Sequence, residues 1–415
     1  MSVAQKYTEI DNCRISDSRD LRIVLDLGIQ ELTGVFPKDS NEPITAGPLQ
    51  LAWCPDSELL QLKQSYDLAE MYGDNYGYRS GLNASMVGHL QTKAREIQRF
   101  ISLNTGDLVV DVGSNDATFL KSYDVPGIQR VGIDPTGRKF RRFYEEGIEL
   151  IPDFFSADVF RSQHGDKKAR ILTSIAMFYD LEDPTSFVRD VASILADDGI
   201  WHFEQSYMPS MLRTNAYDTI CHEHLEYYTL GVVKKLLESC GLKVLDVQMN
   251  AVNGGSFAVT AGKQNNPLSP NDVVIEWLLR QEERMGLSTI EPYEHFSKRV
   301  FEHRDNLTDL VRGLVADGKK VVGYGASTKG NVLLQFCGIT EADIPCIAEV
   351  NEEKFGKFTP GTRIPIVSEE EARAMNPDYF LVLPWHFKAG ILAREREFHA
   401  NGGKFIFPLP EIEIV

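Results

Sequence analysis

The chain has 415 residues and a formal net charge of −17, with 43% hydrophobic and 25% charged residues. This length is too great for one hydrophobic core, so we expect two or three domains, and the acidic charge opposes nonspecific binding to nucleic acid while leaving room for a local basic pocket. Without a membrane-spanning apolar run, a basic hydrophobic N-terminus or a disulfide framework among its six cysteines, the sequence predicts a cytoplasmic protein with no membrane partner.

The first segment, to about residue 72, predicts a small β-rich module, because turn signals separate short apolar runs. Cys13 and Cys54 stand near its two ends, and each is followed three residues later by a serine, Ser16 and Ser57. Two C-x-x-C knuckles would form a zinc site, but a serine hydroxyl is a poor zinc ligand at neutral pH. A neighbouring aspartate could substitute in principle. Closed structural zinc sites prefer thiolate or imidazole, so zinc is possible but we expect no metal.

Residues 76–81 form a glycine-spaced loop that carries two tyrosines, an arginine and a serine. Flanking glycines favour a surface loop, and surface loops often carry function. From Ala84 to Ile101 the apolar residues recur at helical spacing, which predicts an amphipathic helix that packs on the following sheet. His89 lies on this helix and is interpreted as structural.

Residues 107–135 predict a nucleoside site. The β-branched run of residues 108–112 ends at Gly113, where a tight turn opens onto a helix near Ala117. A second strand, residues 129–133, ends at Asp134, where doubly wound sheets place a carboxylate that binds a ribose.

The turn chemistry indicates which nucleoside binds. A dinucleotide fingerprint is G-x-G-x-x-G, and this turn lacks the second and third glycines. Its polar side chains suit the ammonium and carboxylate of a methionine moiety, so we predict S-adenosylmethionine as the cofactor. An α/β turn without a ligand is the alternative. An aromatic residue beyond the third strand can pack on adenine or in the core. The residues expected to bind the cofactor are Asp111, Gly113, Ser114, Asn115, Asp116, Asp134, Pro135 and Phe154.

The rest of this sheet follows from short apolar runs, and the turn at residues 177–184 should open beside the sulfonium. Two final strands joined through Asn253-Gly254-Gly255 predict an antiparallel finish. The predicted strands are residues 148–151, 169–176, 200–205, 243–247 and 256–262.

Residues 217–228, YDTICHEHLEYY, are the chemically densest stretch, with two histidines among several carboxylates. A metalloprotease HExxH motif would need histidine where Glu226 stands, so that interpretation fails. A general base is the second interpretation, because an imidazole titrates near working pH and a carboxylate can orient it. A purely structural cluster is the third.

Residues 264–315 predict a linker and a docking helix, after which a second, smaller α/β sheet begins. Its strands are expected at residues 320–323, 346–350, 379–383 and 404–407. The turn at residues 323–330 is not a P-loop, because Asn331 follows the last glycine, and it is not a full G-x-G-x-x-G. It is interpreted as a degenerate turn that holds substrate phosphates, with a nicotinamide site as the rival.

Taken together, these blocks resemble the deoxysugar C-methyltransferase family, which acts on nucleotide-linked 4-ketosugars. The matching stretches occur in order along nearly the whole chain: YGDNYGYRSGLNASM, VDVGSNDATFL, AMFYDLEDP, YDTICHEHLEYYTL, NGGSF, GYGASTKGN, PGTRIPI and LPWHF. The resemblance implies an α/β fold with a degenerate zinc-module-like domain (1–75), a central Rossmann-like S-adenosylmethionine methyltransferase sheet (76–263), and linker helices with a smaller C-terminal Rossmann-like domain that helps to bind the nucleotide sugar (264–415). Zinc is not carried over, because Ser16 and Ser57 replace expected cysteines.

The resemblance also implies the chemistry: a base forms an enolate next to the ketone of a 4-keto-6-deoxysugar, and the enolate takes the sulfonium methyl group. It places His224 as the base with Glu223 orienting it. The other residues implied for catalysis are Tyr76, Tyr78, Tyr179 and His222. Those implied for binding the nucleotide-diphosphate substrate are Arg79, Ser80, Lys329, Arg363 and Trp385. The nucleotide, the carbon that is methylated and the oligomeric state stay open, and a monomer is compatible with the sequence.

Two other functions remain as alternatives. A nicotinamide-dependent nucleotide-sugar oxidoreductase would use the second sheet as its cofactor site, although both turns lack the glycine triplet. A non-catalytic protein that binds S-adenosylmethionine or a nucleotide would not need the His-Glu-His cluster.

Overall fold

The computed structural model describes residues 6–72 and 78–415. Its first part is the β-rich module that the turn signals predict. Strands β2, β3 and β4 form an antiparallel sheet with β3 in the middle, and β1 pairs with β5. The elements are β1 (Tyr7–Glu9), β2 (Arg22–Glu31), β3 (Ala46–Trp53), β4 (Leu60–Leu62), β5 (Gln64–Tyr66) and α1 (Leu68–Tyr72).

The central part is a seven-stranded sheet flanked by helices. Its elements are α2 (Ala84–Phe100), β6 (Leu108–Val112), β7 (Gln129–Ile133), α3 (Gly137–Phe140), β8 (Ile148–Ile151), α4 (Ala157–His164), β9 (Ala169–Ile175), α5 (Pro184–Ile194), β10 (Leu195–Ser206), α6 (Met208–Thr214), β11 (Glu226–Tyr227), α7 (Leu230–Ser239), β12 (Leu242–Asn250) and β13 (Ser256–Lys263). The strand order is β12-β13-β10-β9-β6-β7-β8, with β6 to β10 parallel and the last two strands antiparallel. The predicted α/β fold class and the antiparallel finish are therefore confirmed.

The helix that we expect after Gly113 does not form, so this prediction is wrong. The chain makes only a short 3-10 turn at Leu120–Ser122 before β7. Asn115 and Ala117 have φ values of 49° and 61°, and the Asp116 carboxylate accepts the Thr118 N–H at 3.2 Å. Left-handed backbone and a side chain that competes for backbone N–H groups both oppose the start of an α-helix.

The C-terminal part contains two connecting helices and a six-stranded sheet. Its elements are α8 (Asp272–Arg284), α9 (Glu291–Ala316), β14 (Val321–Tyr324), α10 (Thr328–Cys337), β15 (Ile347–Glu349), β16 (Ile366–Ser368), α11 (Glu369–Ala374), β17 (Tyr379–Val382), α12 (Lys388–Arg394), α13 (Arg396–Ala400), β18 (Lys404–Phe407) and β19 (Glu413–Ile414). The strand order is β16-β15-β14-β17-β18-β19, and all pairs except the last are parallel. The second α/β sheet is confirmed, and the single docking helix is instead two helices.

The three parts of the chain pack against one another, and one strand of the central part pairs with the N-terminal sheet. The hydrophobic core of the C-terminal sheet continues through α9 and α6 into the N-terminal module. Strand β11, two residues after His224, pairs with β4 of the N-terminal sheet. The loop that carries the His-Glu-His cluster is thus fixed between the central sheet and the N-terminal module. Among the helices of the described residues, none is both long and apolar enough to cross a bilayer.

Candidate active site

His224 is oriented by the main chain. Its Nδ1 atom lies 2.8 Å from the carbonyl oxygen of Thr219, and its ring packs on Tyr179 with the ring centroids 4.3 Å apart. A carbonyl oxygen only accepts hydrogen bonds, so Nδ1 carries the proton and Nε2 holds the free lone pair. Burial, helped by the charge of Lys329, lowers the pKa of His224 to about 3. The neutral tautomer with a basic Nε2 is therefore the resting form at pH 7.

Glu223 does not orient His224, which corrects the role implied by the family resemblance, because Thr219 holds the Nδ1 atom. The carboxylate instead lies beside the N-terminal module. A Cβ atom built on Gly34 would lie 2.3 Å from Glu223 Oε1 and 3.7 Å from the Thr328 hydroxyl. Burial raises the pKa of Glu223. Glycine at position 34 leaves the room that this carboxylate occupies, where all three parts of the chain meet.

His222 belongs to the contact with the N-terminal module. It is fully buried, its Nδ1 atom lies 3.4 Å from the Thr33 hydroxyl, and its ring meets the edge of Tyr66 at 4.6 Å between centroids. Burial lowers its pKa to about 3. These contacts fit a structural histidine, so we leave His222 out of the proposed catalytic group.

Two residues of the C-terminal part lie near His224: Trp385, which follows β17, and Lys329, which lies on α10. Trp385 donates its indole N–H to the Asp218 carboxylate at 2.8 Å, and Lys329 donates to the carbonyl oxygen of Asn253 at 3.0 Å. Asp218 is buried, and burial raises its pKa while the Lys329 charge opposes the rise. Lys329 and Trp385 therefore lie with His224 in one site that both sheets build.

Arg363 is committed elsewhere. Its guanidinium forms a bidentate ion pair with the Glu31 carboxylate and also donates to the carbonyl oxygens of Ser40 and Glu42. All three nitrogens bind the N-terminal module. The expected contact of Arg363 with a nucleotide is thus replaced by a structural contact, and we leave Arg363 out of the proposed substrate site.

The turn after β6 is tied to the end of β7. Gly113 has a φ of 74°, and a Cβ there would lie 3.0 Å from Met177 Cγ. The Asn115 N–H donates to Asp134 Oδ2 at 2.7 Å, and the Thr136 N–H donates to Oδ1 at the same distance. Pro135 lies between Asp134 and Thr136 in the chain. The first residue of this left-handed turn must therefore be glycine. The Asp134 carboxylate is held in place by the two backbone N–H groups.

Asp111, on β6, and Ser114, in the turn, both contact other side chains of the protein. The Thr173 hydroxyl donates to Asp111 at 2.6 Å, and burial raises the pKa of Asp111 to about 7. Ser114 Oγ lies 2.7 Å from the Tyr144 hydroxyl, which donates to the Asn115 carbonyl oxygen. Asp111 is therefore held by the neighbouring strand β9, and Ser114 by a tyrosine that also binds the turn.

The predicted substrate loop lies against the predicted cofactor turn. The Ser80 N–H donates to Asn115 Oδ1 at 3.0 Å, and the Asn115 amide donates to the Tyr78 carbonyl oxygen at 3.2 Å. Asp116 accepts the Gly81 N–H at 3.0 Å, and Arg79 lies 3.9 Å from the same carboxylate. The structure thus brings residues 78–81 to the glycine turn. Tyr76 lies outside the described residues.

An exposed aromatic lies beyond the end of β8. Phe154 is 51% exposed, whereas most phenylalanines in the neighbouring core are fully buried. A glycine turn, an acidic strand end and an open aromatic at adjacent parallel strands suit the nucleoside and amino-acid ends of S-adenosylmethionine. The residues present therefore fit this cofactor.

Sequence reasoning missed Thr219, Asp218 and Asn253, although all three lie within the stretches that it singled out. It treated His89 as structural, and the structure places His89 Nε2 2.6 Å from the buried Glu204 carboxylate. Lys93 lies 3.5 Å from the same carboxylate. Main-chain acceptors such as Thr219 leave no mark in sequence, because every residue has a carbonyl group.

Three family models match consecutive parts of the chain. Residues 13–72 match the family described as "Putative zinc binding domain". Residues 86–247 match a methyltransferase domain, and residues 251–410 match a C-methyltransferase C-terminal domain.

A known protein with a methyltransferase name is also similar to the chain. The C-methyltransferase NovU of Streptomyces niveus is 35% identical over 411 residues, which cover 98% of this chain and 97% of NovU. Two solved structures are more distant: the PH0226 protein of Pyrococcus horikoshii (14% identity, 45% of this chain, 95% of that chain, TM-score 0.37) and an S-adenosylmethionine-dependent methyltransferase of Clostridium acetobutylicum (11% identity, 43% of this chain, 92% of that chain, TM-score 0.33). Both TM-scores lie below 0.5.

Proposed function

This chain belongs to the family of S-adenosylmethionine-dependent C-methyltransferases, and we propose that it methylates a nucleotide-linked 4-keto-6-deoxysugar on a carbon next to the ketone, with His224 as the base that forms the enolate. One observation carries the proposal of the base. Thr219 fixes the proton on Nδ1 of His224, so Nε2 is a neutral acceptor in a site lined by both sheets.

The ketone explains why a base is needed. A carbonyl group acidifies the hydrogens on the carbons next to it, and S-adenosylmethionine, when bound, supplies an electrophilic methyl group for a carbon nucleophile. His224 Nε2 takes the proton and becomes part of an imidazolium whose Nδ1–H stays on Thr219. A positioned base of this kind typically contributes ~10² to 10⁴ in rate.

Lys329 is the proposed contact for the substrate's diphosphate. Burial lowers the pKa of His224 and the charge of Lys329 lowers it further, which weakens the base in the free protein. A diphosphate beside Lys329 would offset that charge and raise the pKa of His224 again. His224 would thus become a stronger base only when a substrate with its nucleotide diphosphate is bound. Arg79 is the second proposed cation, because the loop that carries it lies on the cofactor turn.

The nicotinamide-dependent oxidoreductase is the weaker candidate. The strand order of the C-terminal sheet is the order of dinucleotide-binding sheets, and Glu349 ends β15 where such sheets bind a ribose. Glu349 accepts the backbone N–H groups of Ala326, Val350 and Asn351 at 2.7 to 2.9 Å. Asp134 is held by backbone N–H groups in the same way, so this contact does not separate the two sites. The oxidoreductase is weaker because the turn at residues 323–330 is not a full G-x-G-x-x-G and because residues 251–410 match a C-methyltransferase C-terminal domain. An oriented His224 likewise argues against a non-catalytic binding protein.

A substrate panel tests the proposal. The purified protein is incubated with S-adenosylmethionine labelled on its methyl group and with dTDP-, GDP- and CDP-linked 4-keto-6-deoxysugars. We expect the label in one of these sugars, bound to carbon and stable to mild acid and base. Absence of label from every ketosugar, or label on a sugar oxygen, would contradict it.

A further inference from the structure

Two cysteines and two serines converge in the N-terminal module. Cys13 Sγ lies 3.1 Å from Ser57 Oγ, and Ser16 Oγ lies 3.9 Å from Cys54 Sγ. Each thiol thus meets the serine of the opposite turn, although the two turns are about 40 residues apart in sequence. Both cysteines are buried.

Main-chain hydrogen bonds close both turns, over three residues in the first turn and over four in the second. The Ser16 N–H donates to the Cys13 carbonyl oxygen at 3.3 Å, and the Glu58 N–H donates to that of Cys54 at 2.8 Å. In return, the N–H groups of both cysteines bind carbonyl oxygens five residues further along the chain, at 2.9 and 3.0 Å. Two C-x-x-S turns that face each other, with each thiol beside the serine of the other turn, have the arrangement of a zinc module with two knuckles.

The side chains do not fit zinc. A closed structural site needs four thiolate or imidazole ligands, and here two of the four positions are hydroxyls. Among the described residues there is no group of three or more His, Cys, Asp and Glu side chains that could hold a metal ion. The family model that matches residues 13–72 and the side chains in those turns therefore disagree.

We propose that this module keeps the zinc-knuckle fold without metal, with the Cys13–Ser57 and Ser16–Cys54 contacts replacing the four metal–ligand bonds. The module can fold without zinc because hydrogen bonds between thiols and hydroxyls satisfy buried polar atoms without a cation. It follows that two substitutions, Ser16→Cys and Ser57→Cys, restore a tetrathiolate site.

The cluster also supports the active-site loop. The Gln61 amide donates to Cys13 Sγ at 3.2 Å and accepts the Arg14 N–H at 3.0 Å. Arg14 in turn lies 3.6 Å from the buried carboxylate of Glu226 in β11. Glu226 is two residues beyond His224, so the metal-free cluster holds the strand that fixes the catalytic loop.

Metal analysis tests this proposal. Wild-type protein purified without chelator should contain no stoichiometric zinc, and EDTA should leave its Tm unchanged. The Ser16→Cys/Ser57→Cys variant should bind one zinc per chain and give a thiolate-to-cobalt absorption band with Co²⁺. The Ser162→Cys/Ser269→Cys variant, with two added thiols on the exposed surface, is the matched control and should give no such band.

Three results would overturn the proposal. The first is one zinc per wild-type chain that is lost when Cys13 or Cys54 is replaced by serine. The second is a folded Ser16→Cys/Ser57→Cys variant that takes up no cobalt. The third is a variant that fails to fold even when zinc is supplied, which would show that these turns are not shaped for a metal.

Discussion

The Nδ1 atom of His224 lies 2.8 Å from the carbonyl oxygen of Thr219, and this contact decides which nitrogen of the ring can act as a base. The segment that supplies the carbonyl is itself held by the C-terminal part of the chain, because Trp385 binds the neighbouring Asp218. Strand β11, on the other side of His224, belongs to the N-terminal sheet. The proposed base is therefore placed by elements outside the methyltransferase sheet.

Asp134 is predicted to support cofactor binding. Asp134→Ala removes the carboxylate that holds the Asn115 N–H and faces the predicted ribose position, so S-adenosylmethionine should bind more weakly by about 1 to 3 kcal/mol. Isothermal calorimetry measures this change. Asp158→Ala, on an exposed face of α4, is the control and should bind like wild type. Equal affinities for all three folded proteins would remove Asp134 from the cofactor site.

Trp385 is predicted to position the loop that carries His224, the proposed base. Trp385→Phe keeps an aromatic ring but removes the N–H that Asp218 accepts, leaving a buried carboxylate oxygen without its donor. We expect a loss of about 1 to 3 kcal/mol in the free energy of unfolding and a lower kcat, measured by urea unfolding and steady-state kinetics. Trp277→Phe alters an exposed indole on α8 and should change stability by less than ~0.5 kcal/mol. A similar small effect at both positions would show that the Trp385–Asp218 bond does not matter.

His202 is predicted to make the fold sensitive to acid. It is 3% exposed, and burial lowers its pKa to about 3, against about 6.5 in an unfolded chain. Between these values the unfolded state binds more protons, so the contribution of His202 to stability falls as the pH falls. From pH 7 to pH 5, wild type should lose about 2 kcal/mol more than His202→Gln.

Urea unfolding at the two pH values checks this difference, which isolates His202 from other titrating groups. His295→Gln replaces an exposed histidine of α9 and should follow wild type. If His202→Gln loses as much stability as wild type on acidification, His202 does not carry the linkage.

Periodicity predicted most of the fold. The strands at residues 129–133, 148–151 and 404–407 lie where short apolar runs placed them, because buried parallel strands are rich in apolar residues. The helix after Gly113 was wrong, since left-handed residues and the Asp116 side chain stop it. The two-residue strands were not predicted, because so short a run has no period.

The sequence predicted only part of the candidate active site. Sequence places His224, Lys329 and Trp385 in separate blocks, and their convergence depends on how two sheets meet. The partners of Glu223 and Arg363 differ from those expected, because carboxylate and guanidinium groups bind whichever counterpart the tertiary fold brings near. Residue type thus indicated the chemistry of the site, while the partners came from the fold.

The most direct test of the account is exchange of the ketosugar's α-hydrogen with deuterated water. Mass spectrometry follows the exchange while S-adenosylhomocysteine blocks methyl transfer, with the ketosugar that the panel identifies as the substrate. Wild type and His399→Gln, which alters an exposed histidine of α13, should exchange at equal rates. His224→Gln should bind the cofactor normally and exchange ~10² to 10⁴ times more slowly. Exchange by folded His224→Gln at the wild-type rate would contradict the assignment of His224 as the base.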